Sequence, residues 1–156
     1  MSTTANLTLR VATATDAEAI HDLLVRNGLP TSDLAASRAQ FIVACDGDSV
    51  IATGAIEPFG SAALLRSVAV KAQWRGSGVG RLIVAELERR ARDAGIGELI
   101  LLTLTARDFF ERLGYDTKDR AQARAAVHDS AEFRSLCPAS AICMAKDLSA
   151  TRSARP

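Results

Sequence analysis

Apolar and polar residues alternate over residues 7–12, with Leu7, Leu9 and Val11 set against Thr8 and Arg10. That period of two is the mark of a half-buried strand. From residue 15 to about 26 the period becomes helical. Ala17, Ile20, Leu23 and Leu24 fall on one face, and Thr15 and Asp16 offer N-cap oxygens ahead of them. Asn27-Gly28-Leu29-Pro30 stops this helix, because Asn-Gly tolerates positive φ and Pro30 restricts its predecessor. Residues 29–39 fit no single period and leave room for one turn of helix. Residues 41–45 and 49–56 predict a hairpin across Asp46-Gly47-Asp48, since Asp-Gly is a strong turn signal. Pro58-Phe59-Gly60 then precedes an apolar strand over 62–70. A helix over 78–94 places Val79, Leu82, Ile83, Leu87 and Ala91 inward. Its wet side carries the i,i+4 pairs Glu86 with Arg90 and Glu88 with Arg92, and Gly95 ends it. A buried strand over 98–102, a helix over 105–113 ended by Gly114, and a strand over 115–118 follow. A weakly helical stretch over 121–133 and an alternating strand over 139–148 complete the pattern.

The expected fold is α/β (α+β): a mixed, mostly antiparallel sheet of about six to seven strands with helices on both faces. The chain has 156 residues, which suits one domain over 1–148 followed by a disordered polar tail over 149–156. With 48% hydrophobic and 24% charged residues it has ordinary globular composition, and its net charge of +1 creates no field for nucleic acid or an anionic membrane. The first residues lack a basic and apolar leader, and no apolar stretch approaches the roughly 18 residues of a membrane span. The three cysteines, Cys45, Cys137 and Cys143, form no Cys-x-x-Cys pair, so a reducing, cytoplasmic setting is expected. His21 and His128 show no metal-ligand spacing, and no metal is expected.

One junction carries chemistry. The strand ending at Val70 runs through Lys71-Ala72-Gln73-Trp74 into Arg75-Gly76-Ser77-Gly78-Val79-Gly80 and then a helix. Glycines at a strand-to-helix junction let backbone N–H groups converge, and the helix start adds unsatisfied donors and partial positive charge. Arg75 and Arg81 flank the loop with guanidinium forks suited to phosphate oxygens. A dinucleotide fingerprint fails because its third glycine would fall at Arg81, and a P-loop fails for want of Gly-Lys-Ser/Thr. A tight turn with no ligand is the alternative reading of the glycines.

The spacing Arg-x-x-Gly-x-Gly from Arg75 to Gly80 resembles the acetyl-CoA motif of the GCN5-related N-acetyltransferase (GNAT) superfamily. Val68-Ala69-Val70 resembles its central strand, and Phe109-Phe110-Glu111-Arg112-Leu113-Gly114-Tyr115 its second signature. The order of elements matches from Leu9 to Leu148. The resemblance implies a GNAT fold whose central strand splays from the next, with pantetheine amides pairing with backbone of Ser67, Val68 and Val70. It implies pyrophosphate on the N–H groups of Arg75, Gly76, Ser77, Gly78, Val79, Gly80 and Arg81. The helix over 106–113 would pack beside the acyl thioester and the pantetheine arm, with Thr103 and Phe110 among the cofactor-binding residues. Acetyl-CoA is thus the expected co-substrate, and dimers are common in this superfamily.

Acyl transfer needs a neutral amine, a polarised thioester carbonyl and relief for the departing thiolate. An alkyl amine has a pKa near about 10.4, so a base or a water relay helps. A backbone N–H of Val68 or Ala69 suits the carbonyl. Many superfamily members place a tyrosine acid where this chain has Phe110, which leaves the thiolate to water or to another acid. Tyr115 is read as packing. Glu57, at the end of an apolar run, is the candidate base, with an exposed strand-end glutamate as the alternative; Asp108 is the weaker candidate. Arg66 interrupts a strand that should be central, and a buried guanidinium needs an anionic partner. That partner is either Glu57 or an acceptor carboxylate.

The stretches over 101–110 and 142–148 resemble amino-acid N-acetyltransferases typified by bacterial N-acetylglutamate synthase. The basic segment those enzymes carry before the last strand is replaced here by Leu136-Cys137-Pro138-Ala139-Ser140. Together with residues 64–70, this segment looks closest to the arsenic-resistance N-acetyltransferases. The resemblance implies a small amino-acid-like amine, a glutamate analogue such as arsinothricin or phosphinothricin, with Arg66, Glu57, Cys137 and Ser140 at the acceptor. Cys137 and Cys143 on one extended strand would lie about 20 Å apart, too far to share one arsenic atom.

Overall fold

The computed structural model describes residues 7–33, 38–119, 127, 130, 133 and 140–148. The expected helix over 121–133, Cys137, His128 and the tail over 149–156 lie largely or wholly outside them. The elements run β1 (Leu7–Val11), α1 (Ala17–Arg26), β2 (Gln40–Asp46), β3 (Ser49–Phe59), β4 (Ala62–Val70), α2 (Val79–Asp93), β5 (Glu98–Thr103), α3 (Arg107–Arg112), β6 (Asp116–Lys118) and β7 (Ile142–Asp147). The strands form one seven-stranded sheet in the order β1-β2-β3-β4-β5-β7-β6. All described pairings are antiparallel except β4 with β5. The chain divides into two compact units, one of residues up to Ile56 with Ser67–Leu87, the other of Glu57–Arg66 with the chain from Glu88 on.

In the first unit, Gly47 at φ 59° opens the tight turn between β2 and β3. Alternation then sorts the two faces. Val43, Cys45 and Ala69 pack with Ile20, Leu23 and Leu24 of α1. Ile42, one residue away, points oppositely and pairs with Gly54. Gly54 is where α2 approaches: a Cβ there would lie 2.6 Å from Ile83 and 3.0 Å from Leu87. Helices therefore cover both faces of this unit, as expected from the pattern.

Three details differ from the periodicity. Val11 is exposed, because β1 is an edge strand with little to cover its last residue. Leu82 is 44% exposed while Val84 and Glu88 are buried, so the inward stripe of α2 is rotated from the one the apolar residues suggest. β3 continues through Pro58 to Phe59, where a break was expected.

The start of α1 also differs. Thr15 and Asp16 were expected to cap it, but neither does so by side chain. The Asp16 carboxylate instead turns back to accept the Thr13 amide at 2.7 Å and both Arg10 nitrogens at 2.7 and 3.0 Å. This ties β1 to the entry of α1. In the second unit, Ala62, Leu64, Ile100, Cys143 and Ala145 share one face with Val127 and Phe133. Cys45 and Cys143 are buried thiols, consistent with small hydrophobes in a core. No helix among the described residues is long and apolar enough to cross a membrane.

Arg10 and the Thr13 amide hold the Asp16 carboxyl well below the usual carboxylate range. A depressed folded pKa contributes stability that is complete above the unfolded value of about 3.9 and is lost as pH falls through the folded one. Asp16→Ala should cost about 1 kcal/mol in urea unfolding at pH 7, the scale of a hydrogen-bonded ion pair with one exposed partner. The gap to wild type should narrow in the same titration well below pH 4. An equal gap at both pH values would contradict this account of Asp16.

Candidate functional site

The glycine loop takes its shape for a reason narrower than glycine content. Gly76 and Gly78 have φ of 79° and 93°, a region that L side chains avoid. A Cβ at either would meet nothing within 4 Å, so backbone conformation, not crowding, demands glycine here. The approach is set by a short 3-10 turn over Ala72–Trp74, in which the Arg75 and Ser77 amides donate to Ala72 and Trp74 carbonyls at 3.2 and 3.3 Å. Leu82 donates to the Gly78 carbonyl at 3.1 Å, the bond that opens the α2 ladder. The amides of Val79, Gly80 and Arg81 therefore stand ahead of the ladder, at the positive end of a 15-residue helix. The sequence assigned the whole run from Arg75 to Arg81; the geometry turns the Arg75 and Ser77 amides inward. Arg75 and Arg81 have exposed side chains, and Arg75 Nη2 donates to Asn27 Oδ1 at 2.8 Å. Asn27 is itself fixed by its amide nitrogen on Leu23 O at 2.8 Å. Asn27 was read only as a helix stop.

Ser67 is the second local feature. It has φ of 62° inside β4, the one positive φ among the described non-glycine residues. Such a residue costs about 1–3 kcal/mol and persists where its surroundings over-determine it. Ser67 is buried beside Arg66, as is every residue of β4 from Ala62 onward to it. Upstream, β4 pairs with β5 over three residues, Ala62 to Leu64 against Glu98 to Ile100. β4 then runs on to Val70. A charged and a hydroxyl residue in the middle of an apolar run were the available signal for this distortion.

In the second unit Arg66 and Glu57 meet. Arg66 Nη1 donates to Glu57 Oε1 at 3.2 Å, with side chains 0% and 8% exposed. By alternation Glu57 shares a face with Phe59, and Arg66 with Leu64 and Ala62, beside the cluster that holds Phe133. The exposed strand-end alternative for Glu57 is thereby excluded, and Glu57 is a structural partner of Arg66. Thr103 Oγ1 accepts the Ala106 amide at 3.0 Å and so shapes the entry to α3. Phe110 is buried edge-to-face against Phe109 and Tyr115, with ring centroids 4.9 and 5.6 Å apart. Asp108 and Ser140 are exposed, and Cys137 lies outside the described residues.

Tyr115 is buried, and its hydroxyl donates to Glu88 Oε2 at 2.9 Å. Burial, then the Glu88 charge, pushes its phenol far above the usual value, so it holds its proton. Its ring packs edge-on against Phe110, the packing position the sequence suggested. Glu88 is the clear miss. Placed on the wet side with Arg92, it is buried, 3.9 Å from Arg92 and within 3.1 Å of Lys146. Its position one helical turn after Val84 on the inward stripe was the signal.

The model of an acetyltransferase (GNAT) domain matches residues 37–117, just over half of the chain. The chain belongs to this GNAT acetyltransferase family. An uncharacterised N-acetyltransferase of Chlorobaculum tepidum is 42% identical over 51 residues, 33% of this GNAT chain and 32% of that protein. N-acetylglutamate synthase from Neisseria gonorrhoeae, solved with coenzyme A and N-acetyl-glutamate, superposes with a TM-score of 0.79 at 18% identity over 94% of the chain. The GNAT chain spans 36% of that enzyme's length, so the first relatives are matched over about a third of theirs. A Mycobacterium tuberculosis protein solved with CoA and NLQ has a TM-score of 0.74 at 25% identity, covering 90% of this chain and 98% of that one. The fold expectation, a mixed and mostly antiparallel GNAT sheet, agrees with these neighbours.

Removing one member of a buried ion pair leaves the other charge without compensation. Arg66→Met should therefore cost about 3–5 kcal/mol in urea unfolding, and Glu57→Gln added to it should restore most of that. A single variant as stable as wild type would show the contact to be energetically idle.

Proposed function

We propose that the protein transfers acetyl from acetyl-CoA to the amino group of a small amino-acid-like substrate, a glutamate analogue such as arsinothricin or phosphinothricin. The observation that carries the acetyl-CoA reading is the loop itself: two glycines at positive φ feeding a helix whose first amides precede its ladder. That geometry favours a diphosphate, and family membership selects CoA. The amides of Gly76, Gly78, Val79, Gly80 and Arg81 would hold the pyrophosphate, with Arg75 and Arg81 supplying charge-assisted contacts. Backbone of Ser67, Val68 and Val70 would take the pantetheine amides.

In the reaction the amine lone pair attacks the thioester carbonyl carbon, forming C–N while the carbonyl oxygen gains charge. An N–H of Val68 or Ala69 would stabilise that oxyanion. Collapse breaks C–S and releases CoA thiolate, which takes its proton from water, because Phe110 has none to give. The amine proton leaves to Glu57, directly or through water.

The acceptor class rests on the Arg66–Glu57 pair. A carboxylate beside a guanidinium on one sheet face would complement a zwitterion: the ammonium would go to Glu57, and the acceptor carboxylate would reach Arg66 by opening its contact with Glu57. The neighbour solved with N-acetyl-glutamate supports an amino-acid acceptor, and the non-basic segment through Cys137 and Ser140 argues for an analogue over glutamate itself. We place the enzyme in the cytoplasm, where the buried thiols Cys45 and Cys143 stay reduced, and as a homodimer in keeping with the superfamily.

Thiol release from acetyl-CoA across an amine panel tests the reading. The expected order of kcat/KM is arsinothricin and phosphinothricin above glutamate; the reverse order would make it a metabolic glutamate-type acetyltransferase. Tight CoA binding without turnover on any amine would make it a CoA-binding module. Gly78→Glu should abolish CoA binding in calorimetry, through repulsion of the pyrophosphate and strain at φ 93°. Retained binding would refute the loop assignment.

A further inference from the structure

A second buried ion pair lies outside everything assigned above. Lys146, on β7, donates to Glu88 Oε1 and Oε2 at 3.1 and 3.2 Å and to the Leu113 carbonyl at 2.9 Å. An ammonium has three protons, and these three contacts match them. Glu88 Oε2 also accepts the Tyr115 hydroxyl at 2.9 Å. The Lys146 ammonium sits 5.6 Å from the centre of the Tyr115 ring. Gly114, at φ 98°, leaves the room: a Cβ there would come within 3.3 Å of Lys146 Cε. The lysine stem thus lies over the turn that ends α3.

α3 has six residues, too few to persist by its own hydrogen bonds. Its position depends on what grips its ends. At the start, Thr103 Oγ1 accepts the Ala106 amide. At the other end, the Leu113 carbonyl, an acceptor the helix leaves unused, is taken by Lys146. Between these grips stand Phe109 and Phe110, the latter edge-on to the Tyr115 ring that Glu88 holds. We propose that the Glu88–Lys146 pair is the positioning element for α3, fixing Phe110 for the acetyl-CoA thioester and so determining turnover without touching either substrate. This rests on the acetyl-CoA reading, in which α3, carrying Phe110, packs beside the thioester.

A merely stabilising pair and a positioning pair separate in the double variant. Lys146→Met alone leaves buried Glu88 with Arg92, at 3.9 Å, as its remaining cation and should lower the urea midpoint. Adding Glu88→Gln removes a buried charge that has lost its nearer cation, so the midpoint should return toward wild type. The Leu113 carbonyl still lacks its donor, so kcat should stay about tenfold or more below wild type in both variants. The KM of the amine should remain within about twofold, and Lys146→Arg should recover part of kcat. Hydrogen exchange over residues 107–112 should accelerate in the double variant, while α1 keeps its protection. Recovery of kcat together with the midpoint would overturn the proposal, as would unchanged exchange of α3. A wild-type protein that neither binds CoA nor turns over would instead sink the acetyl-CoA reading, and the exchange data would still decide whether the pair positions α3.

Discussion

The Arg66 guanidinium is shut off from water and meets the Glu57 carboxylate at 3.2 Å, and β4 depends on that contact to be an interior strand. Desolvating either charge alone is prohibitive, whereas together they satisfy one another in a low-dielectric setting. A hydrophobic pair would serve stability as well or better. What it would not supply is a cation and an anion side by side on a sheet face, which is the chemistry an amino-acid acceptor calls for. The next residue, Ser67, departs from strand geometry altogether, so distortion and charge occur together in β4.

The same requirement recurs at two other places. Asp16 goes below the surface at the entry to α1 with Arg10 and the Thr13 amide around it. Glu88 is buried on α2 with Tyr115 and Lys146. In each case a carboxylate that sequence reasoning would leave in water joins separate segments of chain. The carboxylate organises its surroundings because every oxygen must find a donor, and donors come from elements far apart in sequence. Hydrophobic contacts would tolerate small slips of the same segments; these bonds, being directional, do not.

The glycine loop works by the opposite means. No side chain shapes it. Positive φ at Gly76 and Gly78 turns the chain, the Ala72–Trp74 turn consumes two amides, and the start of α2 leaves its first amides ahead of the ladder. The loop is therefore shaped by backbone, and the diphosphate site proposed for it would depend on N–H direction and helix polarity.

Local signals explain what the sequence determined alone. The hairpin at Gly47, the ends of α2 and α3 at Gly95 and Gly114, and the Arg75–Gly80 loop were legible because each depends on conformational preferences of a few adjacent residues. So were the β4 and β5 strands, whose apolar runs admit little else. Tertiary structure alone decided which way α2 faces, placing Val84 and Glu88 inside and Leu82 outside, since a wheel of residues cannot show what lies opposite. It decided that Arg66 meets Glu57, a choice the sequence left open between two anions. It also put positive φ on a serine, where only the demands of neighbouring strands can hold it. Local preference writes turns and helix ends, but the partner of a buried charge is chosen by residues distant in the chain.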